Sequence, residues 1–264
     1  MNGLNHIRTQ FESTKAGNRA ALMPYVTLGY PDPETSLDVI EAIAGAGADL
    51  IELGVPFSDP LADGPTIQRS TQIALDQGIN VARSLGMVAQ LREQGVEQPL
   101  MLMGYINPIL AYGVERFVDE ATAAGADGFI VPDLPPEEAG EIEAACCAKS
   151  RALVYLLAPT SGPERMHLLA ERTSGFLYMV SLAGVTGARA DLPPHLSAFI
   201  QQVREVTSKP LAVGFGISTP EQARAVGELA DGVIVGSALV NTVAQAQEPA
   251  QAAAAFVRSL RNAL

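Results

Sequence analysis

Cysteine and tryptophan are scarce in this 264-residue sequence, which has two cysteines and no tryptophan. The cysteines, Cys146 and Cys147, are adjacent, a spacing that suits neither a disulfide framework nor a zinc site. No apolar run approaches the roughly 18 residues of a membrane span, and Met1 to Gly17 contains no signal-peptide core. We therefore expect a reduced, soluble, cytoplasmic protein that does not enter a membrane.

Positive charge is also scarce. The chain has 17 Lys and Arg against 29 Asp and Glu, for a net charge of −12 and a pI near 4.7. This balance argues against nucleic acid or an anionic membrane as a partner. It does not exclude a small anionic substrate, because such a ligand responds to the local field of its pocket.

Apolar strand-like runs alternate with amphipathic helical runs along the chain. We predict eight strands: Ala21–Leu28, Leu50–Val55, Leu100–Tyr105, Gly128–Val131, Ala152–Leu157, Phe176–Ser181, Leu211–Gly214 and Gly232–Val235. We predict helices near Pro33–Ala46, Asn80–Gln94, Val114–Ala124, Pro136–Lys149, Pro163–Thr173, Pro193–Thr207, Pro220–Leu229 and Pro249–Ala263. The phrase Ala-Gly-Ala-Asp recurs at Asp49 and Asp127, and a shorter Leu-Ala-Asp ends at Asp231. Each copy joins a helix to a strand, as the turns of repeated βα units do.

Eight such units in about 250 residues indicate a (β/α)8 barrel. We expect this α/β fold to carry an extra N-terminal helix and a short helix after strand 8, as a single catalytic domain spanning residues 1–264. An open doubly wound sheet is the alternative, but no Gly-x-Gly-x-x-Gly follows the first strand.

Barrel enzymes carry their chemistry at the C-terminal ends of the strands, which narrows the candidate groups. The lysines and histidines all fall elsewhere: Lys15, Lys149, Lys209, His6, His167 and His195. A Schiff base or a catalytic zinc site is therefore not expected, and no nucleotide-binding Gly-x-x-x-x-Gly-Lys-Ser/Thr loop is present. Carboxylates, tyrosines, hydroxyls and backbone amides remain, a set that suits general acid–base chemistry.

The run from Leu50 to Val55 is apolar except for Glu52. An unpaired ionised group inside such a strand is costly unless it is neutralised or paired. Glu52 is therefore either a glutamate paired with arginine or water, or a functional acid whose apolar neighbours disfavour ionisation. Asp59 and Asp63 follow in the next loop, and each has two open interpretations, a turn or helix cap or a catalyst.

Small residues follow the late strands. Gly187, Gly216, Gly236 and Ser237 would let backbone amides approach an anion at a helix N-terminus, and phosphate binding after strands 7 and 8 is frequent in barrels. The Gly184–Arg189 segment is either an ordinary loop or a closing lid. Tyr105 and Tyr178 are either core residues or amphipathic contacts at the pocket rim.

The segment from Glu52 to Gln68, Glu-Leu-Gly-Val-Pro-Phe-Ser-Asp-Pro-Leu-Ala-Asp-Gly-Pro-Thr-Ile-Gln, resembles the signature of the tryptophan synthase α subunit. The resemblance covers essentially the whole chain. Further matches follow in order: Pro24 to Gly29, Tyr105 with Asn107, Asp133, Gly184 to Gly187, Gly214 to Ser218, and Gly236 to Ala238.

This resemblance implies roles for particular residues. Glu52 and Asp63 match the catalytic acids, while Asp59 is expected near a partner interface. The expected substrate contacts are Tyr25, Met103, Ile130 and Tyr178 around the indole, Gly187, Phe215, Gly216, Gly236 and Ser237 around the phosphate, and, in addition, Tyr105 and Thr186, the latter on the loop after strand 6. Tyr25 stands where some members carry Phe, and Met103 where some carry Leu.

The implied reaction is the retro-aldol cleavage of indole-3-glycerol phosphate to indole and glyceraldehyde 3-phosphate, in tryptophan biosynthesis. No cofactor or metal is expected in this chain. Pyridoxal phosphate is expected on a partner β subunit in an αββα heterotetramer. The alternatives are a stand-alone indole-3-glycerol phosphate lyase, a non-catalytic activating subunit, and a phosphosugar isomerase, although the last would lack a base at the end of strand 6.

Overall fold

The computed structural model describes residues 2–180, 195–214 and 216–264. Its strands are β1 Ala21–Thr27, β2 Ile51–Gly54, β3 Leu100–Met103, β4 Gly128–Ile130, β5 Ala152–Val154, β6 Leu156–Leu157, β7 Leu177–Val180, β8 Leu211–Gly214 and β9 Gly232–Val235. Neighbouring strands pair in parallel, in the order β5-β4-β3-β2-β1-β9-β8-β7-β6. Because the first strand pairs with the last and the two ends of this order, β5 and β6, are consecutive in the chain, the sheet is curled into a barrel, and the open doubly wound alternative is excluded.

The barrel closes through an interrupted strand. The predicted strand Ala152–Leu157 is divided at Tyr155 into β5, which pairs with β4, and β6, which pairs with β7. At the break, the Tyr155 amide donates to Thr173 Oγ1 at 3.1 Å and its carbonyl accepts from Tyr178 N at 3.1 Å. The eight predicted strands are thus confirmed, with the fifth in two parts.

The helices between and around the strands are α1 Gly3–Ala16, α2 Pro33–Gly45, α3 Pro65–Asp76, α4 Val81–Glu93, α5 Ile106–Tyr112, α6 Val114–Ala124, α7 Gly140–Ala148, α8 Pro163–Arg172, α9 Leu196–Val206, α10 Pro220–Gly227, α11 Ser237–Gln245 and α12 Pro249–Arg261. The expected N-terminal helix is α1 and the expected short helix after the last strand is α11. Two helices were not predicted, α3 and α5, and both follow strand ends at the C-terminal face. In the part of the chain that the structure describes, no helix is long and apolar enough to cross a membrane.

The N-terminal helix covers the N-terminal end of the barrel. Ile7 and Phe11 of α1 are buried with the residues that line the barrel interior, and the rings of Phe11 and Phe176 lie 5.7 Å apart. This apolar plug leaves the C-terminal end as the end where a ligand can enter.

The recurring aspartates fix the register of adjacent strands. Each carboxylate accepts the backbone N–H near the start of the neighbouring strand, and each also pairs with an arginine. The backbone bonds are Asp49 with Leu22 at 2.9 Å, Asp127 with Leu100 at 3.0 Å and Asp231 with Leu211 at 2.7 Å; the arginines are Arg19, Arg92 and Arg204. Since these paired acids lie at the N-terminal strand ends, the repeated phrase has a structural role.

Candidate active site

Glu52 lies in the middle of β2, fully buried, with its Cα in register with Tyr25 on one side and Met101 on the other. Met101 belongs to the apolar cluster inside the barrel. Neither carboxyl oxygen of Glu52 forms a hydrogen bond with any residue that the structure describes. The arginine-paired interpretation of Glu52 therefore has no support among those residues.

The charge state of Glu52 follows from this environment. Burial alone raises the pKa of its carboxyl from 4.5 to about 8, because an apolar interior disfavours the charged form. At neutral pH the group is mainly a protonated acid, as a general acid must be before it transfers a proton.

Asp63 occupies the loop between β2 and α3 and is half-buried. Burial raises the pKa of its carboxyl to about 6, and the nearby Tyr105 hydroxyl opposes that rise. Asp63 is therefore mainly a carboxylate at neutral pH, so the two acids differ in charge.

Neither loop aspartate caps a helix. The helix α3 begins at Pro65 with Gly64 at the N-cap and without a side-chain cap. Asp59 is exposed, and its carboxylate accepts a hydrogen bond from the neighbouring Ser58 hydroxyl at 2.5 Å. The cap interpretation of Asp59 and Asp63 is wrong because the helix starts later than the Asp59-Pro60 pair suggested.

Two tyrosines cross the barrel interior near these acids, each passing over a glycine. A methyl group at Gly54 would lie 2.0 Å from the Tyr25 hydroxyl, and one at Gly214 would lie 2.5 Å from the Tyr178 hydroxyl. Both tyrosines are buried. Their pKa values are raised first by burial and then by nearby carboxylates, Asp63 and Glu52. Glycine in these strands therefore makes room for the aromatic side chains.

A chain of hydroxyl groups runs from Tyr25 to α3, and none of its further members was predicted. Tyr25 Oη lies 3.3 Å from Thr27 Oγ1, which lies 2.7 Å from Ser70 Oγ. Ser70 in turn donates to the Ile67 carbonyl at 2.9 Å. Thr27 and Ser70 are both buried, and the chain fixes the orientation of the Tyr25 ring beside Glu52.

The other expected contacts on this side of the substrate lie on or just after the neighbouring strands. Met103 ends β3 and is partly buried, while Ile130 ends β4 and is fully buried; the two are in register. Tyr105 follows β3 and is buried, with its ring tilted against Phe57 at 5.4 Å. These residues form an apolar side of the barrel mouth next to Glu52.

The residues that are expected to bind the phosphate lie on the other side of the barrel mouth, after β8 and β9. Gly216 has φ of +52°, a conformation that favours glycine. Gly236 is the N-cap of α11 and Ser237 is its first residue, so free amides of the first turn are available to an anion there. Three expected contacts, Thr186, Gly187 and Phe215, lie outside the described residues.

Among residues 2–180, 195–214 and 216–264, no group of three or more His, Cys, Asp or Glu side chains is placed to hold a metal ion. The arrangement instead combines a neutral buried acid, a carboxylate, an apolar wall and a helix N-terminus. Such a site can donate a proton to an apolar ring, stabilise positive charge beside that ring and hold an anionic tail.

Comparison with known proteins gives a consistent result. The family model described as tryptophan synthase alpha chain matches residues 11–263. The chain is 49% identical to the tryptophan synthase alpha chain of Chloroflexus aggregans over 98% of both chains, and 50% identical to that of a Roseiflexus species over 98% of this chain and 100% of the relative.

Solved structures agree. The tryptophan synthase subunit alpha of Legionella pneumophila matches with a TM-score of 0.91 and 43% identity, over 100% of this chain and 98% of that one. A chain of Mycobacterium tuberculosis tryptophan synthase matches with a TM-score of 0.91 and 39% identity, over 97% of each. With nearly full-length matches at these identities, the chain belongs to the tryptophan synthase α chain family.

Proposed function

We propose that Glu52 and Asp63 catalyse, in this chain, the reaction of its family. As a family member the chain is a lyase that cleaves indole-3-glycerol phosphate to indole and glyceraldehyde 3-phosphate. The observation that carries the residue assignment is that the Glu52 carboxyl is fully buried and unbonded among the described residues, and its raised pKa agrees with a role as an acid.

Glu52 transfers protons at two places in the substrate. Its acid proton goes to indole C3, which turns the ring into an iminium and makes the substrate its own electron sink. The resulting carboxylate then takes the proton of the side-chain hydroxyl next to the breaking bond. The O–H electrons form the aldehyde carbonyl, and the electrons of the broken carbon–carbon bond return to the ring, which restores neutral indole.

Asp63 stabilises the positive charge that develops on the ring. Its carboxylate accepts the indole N–H, and in a partly desolvated site this contact strengthens as the ring becomes cationic. The different environments of the two acids support the division of roles, because full burial keeps Glu52 protonated while half-burial leaves Asp63 ionised.

The substrate is bound between two sides of the barrel mouth. Tyr25, Met103, Ile130 and Tyr178 surround the indole, and Gly216, Gly236 and Ser237 bind the phosphate with the predicted contacts Gly187 and Phe215. Thr186, which the resemblance links with closure over Asp63, lies with the Gly184–Arg189 segment outside the described residues. The buried positions of the described aromatic residues and the N-terminus of α11 support this orientation.

A β subunit is the proposed partner. The family implies a β-subunit partner, and one of the similar solved structures is that of a tryptophan synthase. We propose the αββα heterotetramer, with pyridoxal phosphate on the β subunit and no cofactor in this chain. Two large apolar side chains near the barrel mouth, Leu61 after β2 and Leu110 in α5, are 92% and 55% exposed, and they support docking of the partner at the face that includes Asp59.

We further propose that residues 1–264 form one catalytic domain that works in the cytoplasm. The two cysteines are free thiols, which suits a reducing compartment.

One experiment tests the function. The purified chain is incubated with indole-3-glycerol phosphate, with and without a β subunit, and released indole is measured. Indole in both reactions, with a higher rate in the presence of β, is the expected result. Indole from the chain alone with no response to β would support a stand-alone lyase, and no indole in either reaction would overturn the proposal.

A further inference from the structure

Tyr105 links three neighbouring segments at the C-terminal end of the barrel. It is the second of the two residues between β3 and α5, at the N-cap position of that helix, and it is 5% exposed. The next amide, Ile106 N–H, donates to Asp133 Oδ1 at 2.9 Å, and the preceding amide, Gly104 N–H, donates to the Ile130 carbonyl at 3.1 Å. Bonds on both sides therefore fix the backbone of Tyr105 to the end of β4.

The Tyr105 side chain reaches from this fixed backbone to the loop after β2. Its hydroxyl accepts the Ala62 N–H at 3.0 Å, which places it near the carboxyl of the next residue, Asp63, whose pKa it lowers. Its ring lies 5.4 Å from Phe57 at an interplanar angle of 37°. The loop is thus contacted by one side chain at its beginning and at its end.

The loop after β2, residues 56–63, has few other contacts that fix its position. Its internal backbone bonds, Leu61 N to the Asp59 carbonyl and Asp63 N to the Pro60 carbonyl, only form turns. Among the described residues, one hydrogen bond joins residues 56–63 to another βα segment, and it ends on the Tyr105 hydroxyl. With Leu61 almost fully exposed, apolar packing contributes little at the tip.

We propose that Tyr105 is a positioning residue for Asp63, which it holds in place toward the indole nitrogen through its hydroxyl group. This inference rests on the proposed function of Asp63. The Ala62 N–H uses the Tyr105 oxygen as an acceptor, which leaves the Tyr105 O–H available to donate to the neighbouring Asp63 carboxylate. Tyr105 thus serves the reaction through Asp63, beyond its predicted contact with the substrate.

The electrostatic surroundings agree with this geometry. Burial raises the pKa of Asp63 and the nearby Tyr105 hydroxyl lowers it, so the hydroxyl helps to keep the carboxylate ionised. Among the residues that the structure describes, the other titratable side chains that interact with Asp63 are Tyr25 from β1 and Tyr178 from β7. Of these hydroxyls, that of Tyr25 is bonded to Thr27.

The test compares Tyr105→Phe with the wild type over a range of pH. The substitution keeps the ring against Phe57 and removes only the hydroxyl. We expect kcat to fall about 10- to 100-fold, the rate equivalent of a hydrogen bond to a charged group, with a smaller change in KM. The acidic limb of the kcat profile should move up by about one pH unit, because the ionised form of Asp63 has lost a donor.

Two controls separate positioning from simple contact. Tyr25→Phe removes another hydroxyl from the pocket, one bonded to Thr27, and should leave the acidic limb where it is. In an Asp63→Asn background, Tyr105→Phe should lower the single-turnover rate by less than about threefold, because residues that act through one another are not additive.

An unmoved acidic limb together with equal losses in both backgrounds would overturn the inference and leave Tyr105 as a wall of the pocket. That outcome differs from a failure of the proposed function, in which the wild type itself releases no indole. Thermal unfolding of Tyr105→Phe near the wild-type temperature confirms that the comparison concerns folded protein.

Discussion

Replacing Glu52 with glutamine should make the protein more stable while it loses activity. The folded protein holds the pKa of this carboxyl at about 8, against 4.5 for an ordinary glutamate. The folded state therefore binds a proton that the unfolded chain releases above about pH 4.5, so stability falls as pH rises from there through the folded pKa of about 8. Glutamine has nearly the same shape and no proton to lose.

The size of the effect follows from the same two pKa values. Burying this acid destabilises the fold by about 3 kcal/mol at pH 7 but by only about 1 kcal/mol at pH 5. From pH 5 to pH 7, the difference in free energy of unfolding between Glu52→Gln and the wild type should therefore grow by about 2 kcal/mol in favour of the variant. For a protein of this size the gain corresponds to roughly 5 °C in Tm.

The assay is thermal or denaturant unfolding of both proteins at several pH values from 5 to 8. Asp59→Asn serves as the matched control, because Asp59 is exposed and its replacement should give a curve parallel to that of the wild type. Parallel curves for wild type and Glu52→Gln would refute the reasoning, since they would mean that Glu52 is not a neutral buried acid in the folded protein.

Three further predictions concern the reaction and the barrel interior. The kcat/KM of the wild type should be bell-shaped, rising with ionisation of Asp63 near pH 6 and falling with ionisation of Glu52 near pH 8; a profile without a basic limb would contradict the role of Glu52 as an acid. Asp63→Asn should lower turnover at least about 100-fold, and Asp59→Asn should lower it much less. If an indole-release assay shows the larger loss for Asp59→Asn, then Asp59 and not Asp63 is the catalytic aspartate. Gly54→Ala should lower the free energy of unfolding by about 1 to 3 kcal/mol and should also lower activity, because the methyl group overlaps the Tyr25 hydroxyl. Adding Tyr25→Phe should restore part of the stability in the same unfolding assay. No recovery would show that the clash lies elsewhere.

The sequence predicted the elements whose signals are local. The strands and the turns that carry Asp49, Asp127 and Asp231 follow from apolar runs and a repeated phrase, and they are confirmed. Glu52 was recognisable because one acid interrupts an aliphatic strand, and the structure gives it a fully buried position.

Features that depend on long-range contacts were not predicted. The break at Tyr155 lies within a continuous apolar run, and only the positions of β4 and β7 explain why the strand divides there. The helix α5 is seven residues long, too short for a clear periodic pattern. The bond between Ala62 and Tyr105 joins residues 43 positions apart, which no spacing rule connects.

Gly54 is an intermediate case. A glycine two residues after Glu52 in the same strand is a local sign of close approach by another group, but the sequence does not identify the group. The structure identifies it as the Tyr25 hydroxyl.

The most direct test of Glu52 as the proton-transferring acid is the rate at which Glu52→Gln releases indole from bound indole-3-glycerol phosphate, in the presence of a β subunit. Substrate binding is measured on the same sample by calorimetry, so that a loss of chemistry is separated from a loss of affinity. We expect binding within a few-fold of wild type and a rate at least about a thousandfold lower. A variant that binds substrate and releases indole at a near-normal rate would contradict the assignment.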